Sequence, residues 1–391
     1  MDFEKRKLSI NFVCISIHDF MNDNIAIIRQ IAIVMAPQLN NRLQLPLLER
    51  CGGIDGFFEE KDTTIEALFR EAGKTYLPLE RKEWLLKAKE EWEVMQKEGI
   101  HCCTWEDHHY PHLLQHCEDA PLVLFYKGNL PAAEENTLAV VGTRKATERG
   151  KNRVDSLIKG FVEKGLTPSI ISGLAYGIDV AAHNACLRYG LKTYAVLGHG
   201  LNMIYPAPHK NTAEKIVAQG GGLISEFPCC AKVLPINFLQ RNRIVAGMSA
   251  ATLVAESPVK GGAMATARQA LSYYREVMAI PGRPEDVVSG GCNALIKQNV
   301  AALVEQVDDI CHLMHWEPVS PPQPHQTSID FFPEDKGKTR IQQLLSEQGE
   351  LHIDQLQLQS GLPAAELASL LLAMELEGII MQLPGKIYSL L

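Results

Sequence analysis

The chain has 391 residues, 46% of them hydrophobic and 21% charged, which is the composition of a soluble globular protein with at least two ordinary cores. Its formal net charge of -8, taken whole, argues against a nucleic-acid partner. Arg29 and Gln30 break the longest apolar candidate, so no stretch of about 18 apolar residues exists to span a membrane.

The ten cysteines include two adjacent pairs but no C-x-x-C. Neither a zinc site nor a disulfide framework is therefore written at the usual spacing, and a reducing cytoplasm is the simplest location. No metal ligand set and no cofactor is expected.

At the N-terminus, Lys5, Arg6 and Lys7 precede an apolar stretch in imitation of a secretory signal, but no small-x-small cleavage site follows. Met21 opens "MNDNIAIIRQIAIVM", where Asn22 and Asp23 can cap a helix, so residues 1–20 read as an extension outside the fold. Residues 21–116 read as a helical domain throughout, with Gly52-Gly53 separating two apolar faces as in a helical hairpin. Such a hairpin can grip a nucleic-acid backbone, but in a net acidic segment plain helix packing is preferred. Within it, "DHHYPHLLQH" spaces His108, His112 and His116 four apart, as metal ligands on one helix face would be. Pro111 interrupts that helix and no H-E-x-x-H is present, which argues against a metal site.

From residue 117 to 315 short apolar runs alternate with stretches long enough for crossover helices: LVLFY, TLAVVG, PSIISG, TYAVLG, GGLISE, ATLVAE and VMAIPG. Most lack polar alternation, as strands buried on both faces of a parallel sheet do. The expected fold is α/β, an extended Rossmann-like, doubly wound, mostly parallel sheet. Residues 316–337 carry Pro318, Pro321, Pro322, Pro324 and Pro333 and read as a semi-rigid linker. Residues 338–391 then read helix, helix, helix, strand, a Pro384-Gly385 turn and strand, the order of a winged helix. Its third helix offers Glu366, Glu375 and Glu377 and no Lys or Arg, so packing or protein contact is preferred over duplex reading.

Charge separates these regions. Thr137 to Ile310 holds 19 Lys and Arg against 13 Asp and Glu, whereas the flanking segments are net acidic. The basic excess coincides with the sheet, and ligands of such sheets bind beyond the carboxyl ends of the strands. The residues there are glycine-rich: Gly142-Thr143-Arg144, Ser172-Gly173-Leu174-Ala175-Tyr176-Gly177, Gly198-His199-Gly200 and Gly261-Gly262. Glycines let backbone amides approach an anion, helix N-termini add partial positive charge, and Arg144 can fork onto a phosphate. G-x-G-x-x-G is not completed and no Walker A sequence exists, so a nucleotide cofactor is weakly supported. Lys210, Arg241, Arg243 and Lys260 add more cations than one mononucleotide needs, which fits the successive phosphates of a strand. The competing reading pairs Arg241 and Arg243 with Glu226 and Glu256 inside the domain. Asp179 and His183 share a helix face without forming a recognisable catalytic set.

At these motifs the sequence resembles the DprA (DNA processing protein A, or Smf) family. The match runs in family order through "YPHLL", "APLVLFYKGN", "VVGTR", "SGLAYGIDVAAH", "AVLGHGLNMIYP", "GGLISEFP", "NFLQRNRIVAGMS", "LVAESPVKGGAMATARQAL", "AIPG" and "NALIKQ". The resemblance implies a non-enzymatic protein that binds single-stranded DNA, forms a homodimer, and passes the strand to the recombinase RecA, during natural transformation where that occurs. It assigns Gly142, Thr143 and Arg144 to a phosphate-binding turn, Ser172 and Gly173 to its neighbouring loop, and Arg241, Asn242 and Arg243 to the R-N-R segment. Lys210, Lys260 and Gly261 complete the expected set. Asn202 stands where the family usually has Asp, and Gly262-Ala263 replace a more usual Ser-containing loop. A more distant likeness is to phosphoribohydrolases of related fold, which would make the chain a nucleotide or nucleoside-phosphate hydrolase; the glutamate of their motif is absent at the required spacing. A third reading makes the terminal domains dominant and the protein an adaptor.

Overall fold

All seven apolar runs become strands of one sheet in the computed structural model, which describes residues 25–36, 39, 41–71, 80–133, 136–317, 336–383 and 385–390. The strands are β2 (Val123–Gly128), β3 (Thr137–Gly142), β4 (Ser169–Ser172), β5 (Thr193–Leu197), β6 (Gly222–Ser225), β7 (Ala251–Glu256) and β8 (Glu276–Ala279). Two short strands, β1 (His101–Thr104) and β9 (Ala302–Leu303), lie at the edges. The order is β1-β2-β6-β5-β4-β3-β7-β8-β9, parallel from β6 to β9 and antiparallel where β2 joins β6 and β1 joins β2. The chain builds outward from β3 to β6 and then returns to place β7 on the other side of β3. That reversal is the topological switch point of a doubly wound sheet.

Alternate residues of each strand enter different cores, as the two-residue strand period requires. Leu138 and Val140 of β3 pack with α7 (Glu148–Glu163), α8 (Ile178–Tyr189) and α13 (Val307–Met314). Ala139 and Val141 pack with α10 (Pro235–Gly247), α11 (Gly262–Ser272) and α12 (Gly290–Lys297) on the opposite face. The remaining crossover helix, α9 (Lys210–Ala218), precedes β6.

The expectation of helix throughout residues 21–116 is corrected at β1, whose Cys102 and Cys103 pair with Phe125 and Leu124. A four-residue strand carries too little periodicity to stand out behind the helix α5 (Arg81–Glu98) that leads into it. Before α5 come α1 (25–34), α2 (Asn41–Arg50), α3 (Ile54–Glu59) and α4 (Asp62–Glu71), and α6 (His112–Gln115) lies between β1 and β2. The helical segment shares a core with the sheet: Ile31, Phe57, Ile65, Trp84 and Met95 belong to the same buried cluster as Phe125, Ala195, Leu197 and Leu223. Each such side chain removed from water contributes about 1.5–3 kcal/mol. A polar tie adds to it. The buried carboxylate of Glu91 on α5 accepts from the backbone N–H groups of Cys229 and Cys230, in the turn after β6.

The chain divides into two compact units, with the break at residue 319. Trp316, which the proline-rich composition assigns to the linker, is buried in the first unit and its ring lies 6.0 Å from that of Phe161. Residues 1–20 and 318–335, the expected extension and most of the linker, lie outside the described residues, as does Pro384. The second unit has α14 (Lys336–Gln348), β10 (Leu351–His352), α15 (Ile353–Ser360), α16 (Ala364–Leu376), β11 (Ile380–Leu383) and β12 (Ile387–Leu390), with a small β10-β12-β11 sheet around its own core. This is the expected winged helix. Among the described residues no helix is long and apolar enough to cross a membrane.

One buried side chain makes the first unit sensitive to acid. His183 on α8 is fully buried, with Nδ1 2.7 Å from the Thr193 hydroxyl. That hydroxyl donates to Ile170 O, so the ring nitrogen is the donor to Thr193. Burial, with the nearby charges of Arg241 and His209, pushes its pKa from 6.5 down to about 3. The unfolded chain therefore binds the proton that the folded chain refuses: stability is full above 6.5 and falls as pH drops through that window. Urea denaturation at pH 7, 6 and 5 should show about 2 kcal/mol lost through this group by pH 5. His183→Gln should flatten that part of the slope; an unchanged slope would refute the assignment.

Candidate functional site

The switch point between β3 and β7 is where a nucleotide phosphate would sit, against the first turn of α7. Here the protein fills the place itself. Thr147 caps α7, its hydroxyl accepting from Gly150 N–H at 3.0 Å. The carboxylate of Glu256, the last residue of β7, then accepts from Thr147 N–H at 2.8 Å and from the Thr147 hydroxyl at 2.7 Å. Glu256 O also accepts the Thr143 N–H at 2.7 Å. An internal carboxylate at the helix N-terminus meets the need for negative charge that a pyrophosphate would otherwise meet.

Beside this filled position, Arg241 lies against β5 and beneath the turn that follows β4. This residue is 3% exposed. Its guanidinium donates to Val196 O of β5 and lies so close under the β4 turn that a Cβ on Gly173 would fall 2.3 Å from it. Burial lowers its pKa from 12.5 to about 10, opposed by the carboxylate of Asp179 and reinforced by the charge of Arg144. Even so lowered, the guanidinium stays cationic at neutral pH. Asp179, in the first turn of α8, is itself pushed above the ordinary carboxylate range by burial, against the pull of Arg241 and of the Ala175 and Gly173 N–H groups. Gly177, with φ +81°, lets the β4 turn close on the β3 turn; a Cβ there would meet Thr143 O at 2.1 Å.

Above this floor stand the groups that a ligand can reach. Arg144 is exposed, and its guanidinium carbon lies 5.9 Å from the ring centroid of Phe238 in the first turns of α10. Phe238 packs over the β5 turn, 3.0 Å from where a Cβ of Gly198 would be, with the half-exposed ring of Tyr205 5.7 Å away. His199 holds Tyr205 in place by accepting its N–H at Nε2, 3.2 Å. Tyr176, 47% exposed, meets His209 edge-on at 4.8 Å, and His209 Nδ1 donates to Leu174 O at 2.8 Å. This bond brings the start of α9, and with it exposed Lys210, against the β4 turn. The result is an arginine and three aromatic rings over a buried cation, the combination that suits a phosphate backbone with unstacked bases.

Several expected contacts find other partners. The Thr143 N–H goes to Glu256, the Ser172 hydroxyl donates to Val140 O at 2.6 Å, and the Gly261 N–H goes to Pro258 O at 2.9 Å. The Thr143 and Gly261 N–H groups and the Ser172 hydroxyl thus stitch the turns together within the protein instead of standing free. Arg243 is buried, ion-paired with Glu226 and bonded to Asp119 O. The internal pairing holds for Arg243 with Glu226, while Glu256 serves Thr147 instead. Asn242 is half-buried on α10, and Lys260 is exposed in the turn after β7. Phe238, Tyr205 and Tyr176 escaped the sequence reading, which followed cations and glycines. The signal available was an aromatic residue in three of the same motifs.

The profile described as DNA recombination-mediator protein A matches residues 101–315, and that described as the DprA winged helix domain matches residues 318–386. The chain is 36% identical over 301 residues to Protein Smf of Escherichia coli, covering 74% of this chain and 78% of that protein. It is 40% identical over 201 residues to DNA processing protein DprA of Streptococcus pneumoniae, covering 51% and 70%. The X-ray structure of the Streptococcus pneumoniae protein aligns with a TM-score of 0.53 at 31% identity, over 72% of this chain and 99% of that one. With the mostly parallel sheet, the glycine turns and the winged helix in place, these matches make the chain a member of the DNA recombination-mediator protein A family, also called DprA or Smf.

Proposed function

We propose that this DNA-processing family member binds single-stranded DNA in the crevice over β3, β4 and β5, and acts by binding rather than by catalysis. The observation that carries the reading is the exposed Arg144 guanidinium set against Phe238, above the buried cation Arg241. Arg144 takes a backbone phosphate, and Phe238, Tyr205 and Tyr176 offer faces to the bases. Such stacking accepts every base and needs an unpaired strand, since the bases of a duplex are already stacked. Lys210 and Lys260 extend the cationic surface to either side, while Arg241 and Arg243 shape it from within. Within the same reading the protein is a cytoplasmic homodimer that protects incoming single strands and loads RecA, as in natural transformation; membership in the recombination-mediator family supports this part. The hydrolase reading has the Glu256 carboxylate against it, lodged where a nucleotide phosphate would bind.

Fluorescence anisotropy of labelled oligo-dT, titrated across salt concentrations beside a duplex, tests the site. Arg144→Ala should weaken binding to all sequences alike and lower the salt slope by about 1. Phe238→Ala should cost about 1–3 kcal/mol of binding with the salt slope unchanged, because stacking releases no counterion. Binding indifferent to both changes, or release of free base from a nucleoside monophosphate, would overturn the reading.

Arg243→Ala should behave differently. It strands the Glu226 carboxylate in the interior and should cost about 3–5 kcal/mol of folding stability. The folded fraction, measured by urea denaturation beside the titration, should keep the wild-type salt slope.

Removing residues 318–391 should leave single-strand binding within about threefold of wild type, a change of under 1 kcal/mol. A larger loss would favour the adaptor reading.

A further inference from the structure

The histidine run between β1 and β2 is not among the groups proposed for strand binding. We propose that His112 and His116 form a two-nitrogen chelating site for a divalent transition-metal ion of the copper, nickel and zinc class. Pro111, which in the sequence argues against a helix here, is the N-cap of α6. It begins the turn instead of breaking it, because a proline lacks only the N–H that a helix start leaves unused. His112 is then the first helical residue and His116 the C-cap. Both rings are exposed on one face, with centroids 4.6 Å apart, planes at 86° and Nε2 atoms 3.2 Å apart.

That last distance is the bite of a chelate. Imidazole binds such ions at about 2.0–2.1 Å, so two rings meeting at one ion at angles between square and tetrahedral hold their nitrogens about 2.9–3.4 Å apart. Without an ion the same geometry serves a hydrogen bond between the rings, which keeps both near the binding pose. The donor ring needs only to move its proton to Nδ1, a tautomer change that solvent allows at an exposed site.

The backbone between the ligands is clamped. Leu114 is fully buried, Arg275 donates to Leu113 O at 2.7 Å, and Gln115 exchanges bonds with Trp105, its amide donating to Trp105 O at 2.8 Å. The backbone positions that carry the two imidazoles are therefore held, which limits the freedom lost on binding to the rings themselves. His108, which sequence spacing aligns with the pair, instead lies against His109, ring centroids 3.6 Å apart and planes tilted by 43°, and lines a cavity with His101 and Tyr126. Among the described residues no group of three or more His, Cys, Asp or Glu could hold a metal ion. Water completes the coordination sphere, which makes the site exchangeable and ranks copper above nickel and zinc.

Isothermal titration of the full chain with Ni2+ tests this, since nickel, unlike copper, leaves the free thiols unoxidised. The wild type should bind one ion, and H112A and H116A should each bind at least about tenfold more weakly, because even outer-shell changes cost 10- to 100-fold. The double variant H112A/H116A should be no weaker than either single one, since losing one ligand already destroys the chelate, and H108A/H109A should match the wild type. All four variants alter exposed side chains, and circular dichroism would confirm their folding. Wild type that takes up no ion, single variants that bind like wild type, or loss in H108A/H109A would each overturn the proposal.

Discussion

The carboxyl end of the central parallel strands depends on one buried guanidinium. Arg241 reaches from α10 across the carboxyl ends of the strands, binds a carbonyl of β5, supports the glycine of the β4 turn and faces the carboxylate at the start of α8. A charge so deeply buried persists only when it is paired and hydrogen-bonded. Val196 O supplies a hydrogen bond and the Asp179 carboxylate the opposing charge. The crevice surface is the upper side of that arrangement.

Its second consequence is electrostatic. Arg144 lowers the pKa of Arg241, so the two positive charges lie close enough to feel one another. Two like charges so placed raise the positive potential at this end of the sheet. On the neighbouring side of β3 the logic is reversed. Glu256 brings its own negative charge to the α7 terminus, so the position used for pyrophosphate in dinucleotide folds is already neutralised. The anion position at the α7 terminus is thus closed by a single carboxylate of the protein itself.

The histidine pair and the crevice show opposite uses of local geometry. In α6 a proline and a four-residue spacing suffice to set two side chains against each other. In the crevice the principal groups come from separate elements, Arg144 from the β3 turn, Tyr205 from the β5 turn, and Phe238 and Arg241 from α10, and they meet because parallel strands end on one line.

Much of the fold was legible in the chain itself. The seven apolar runs, the glycines at their ends and the three-helix, two-strand tail depend on neighbouring residues and on the two-residue and 3.6-residue periods, so they can be read in order. Local sequence also located the basic segment and Arg144. It could not tell a cation on the surface from one in the interior: Arg144, Arg241 and Arg243 look alike as letters, yet the first is exposed, the second braces the turns and the third neutralises Glu226. Nor could it separate turn amides free to meet an anion from those already bonded within the protein, as at Thr143 and Gly261. Strand order, the edge strand β1 and the aromatic faces around Phe238 were likewise decided by tertiary structure. The physical reason is common to all of these: burial and pairing are properties of contacts between residues tens of positions apart, and no local period encodes them.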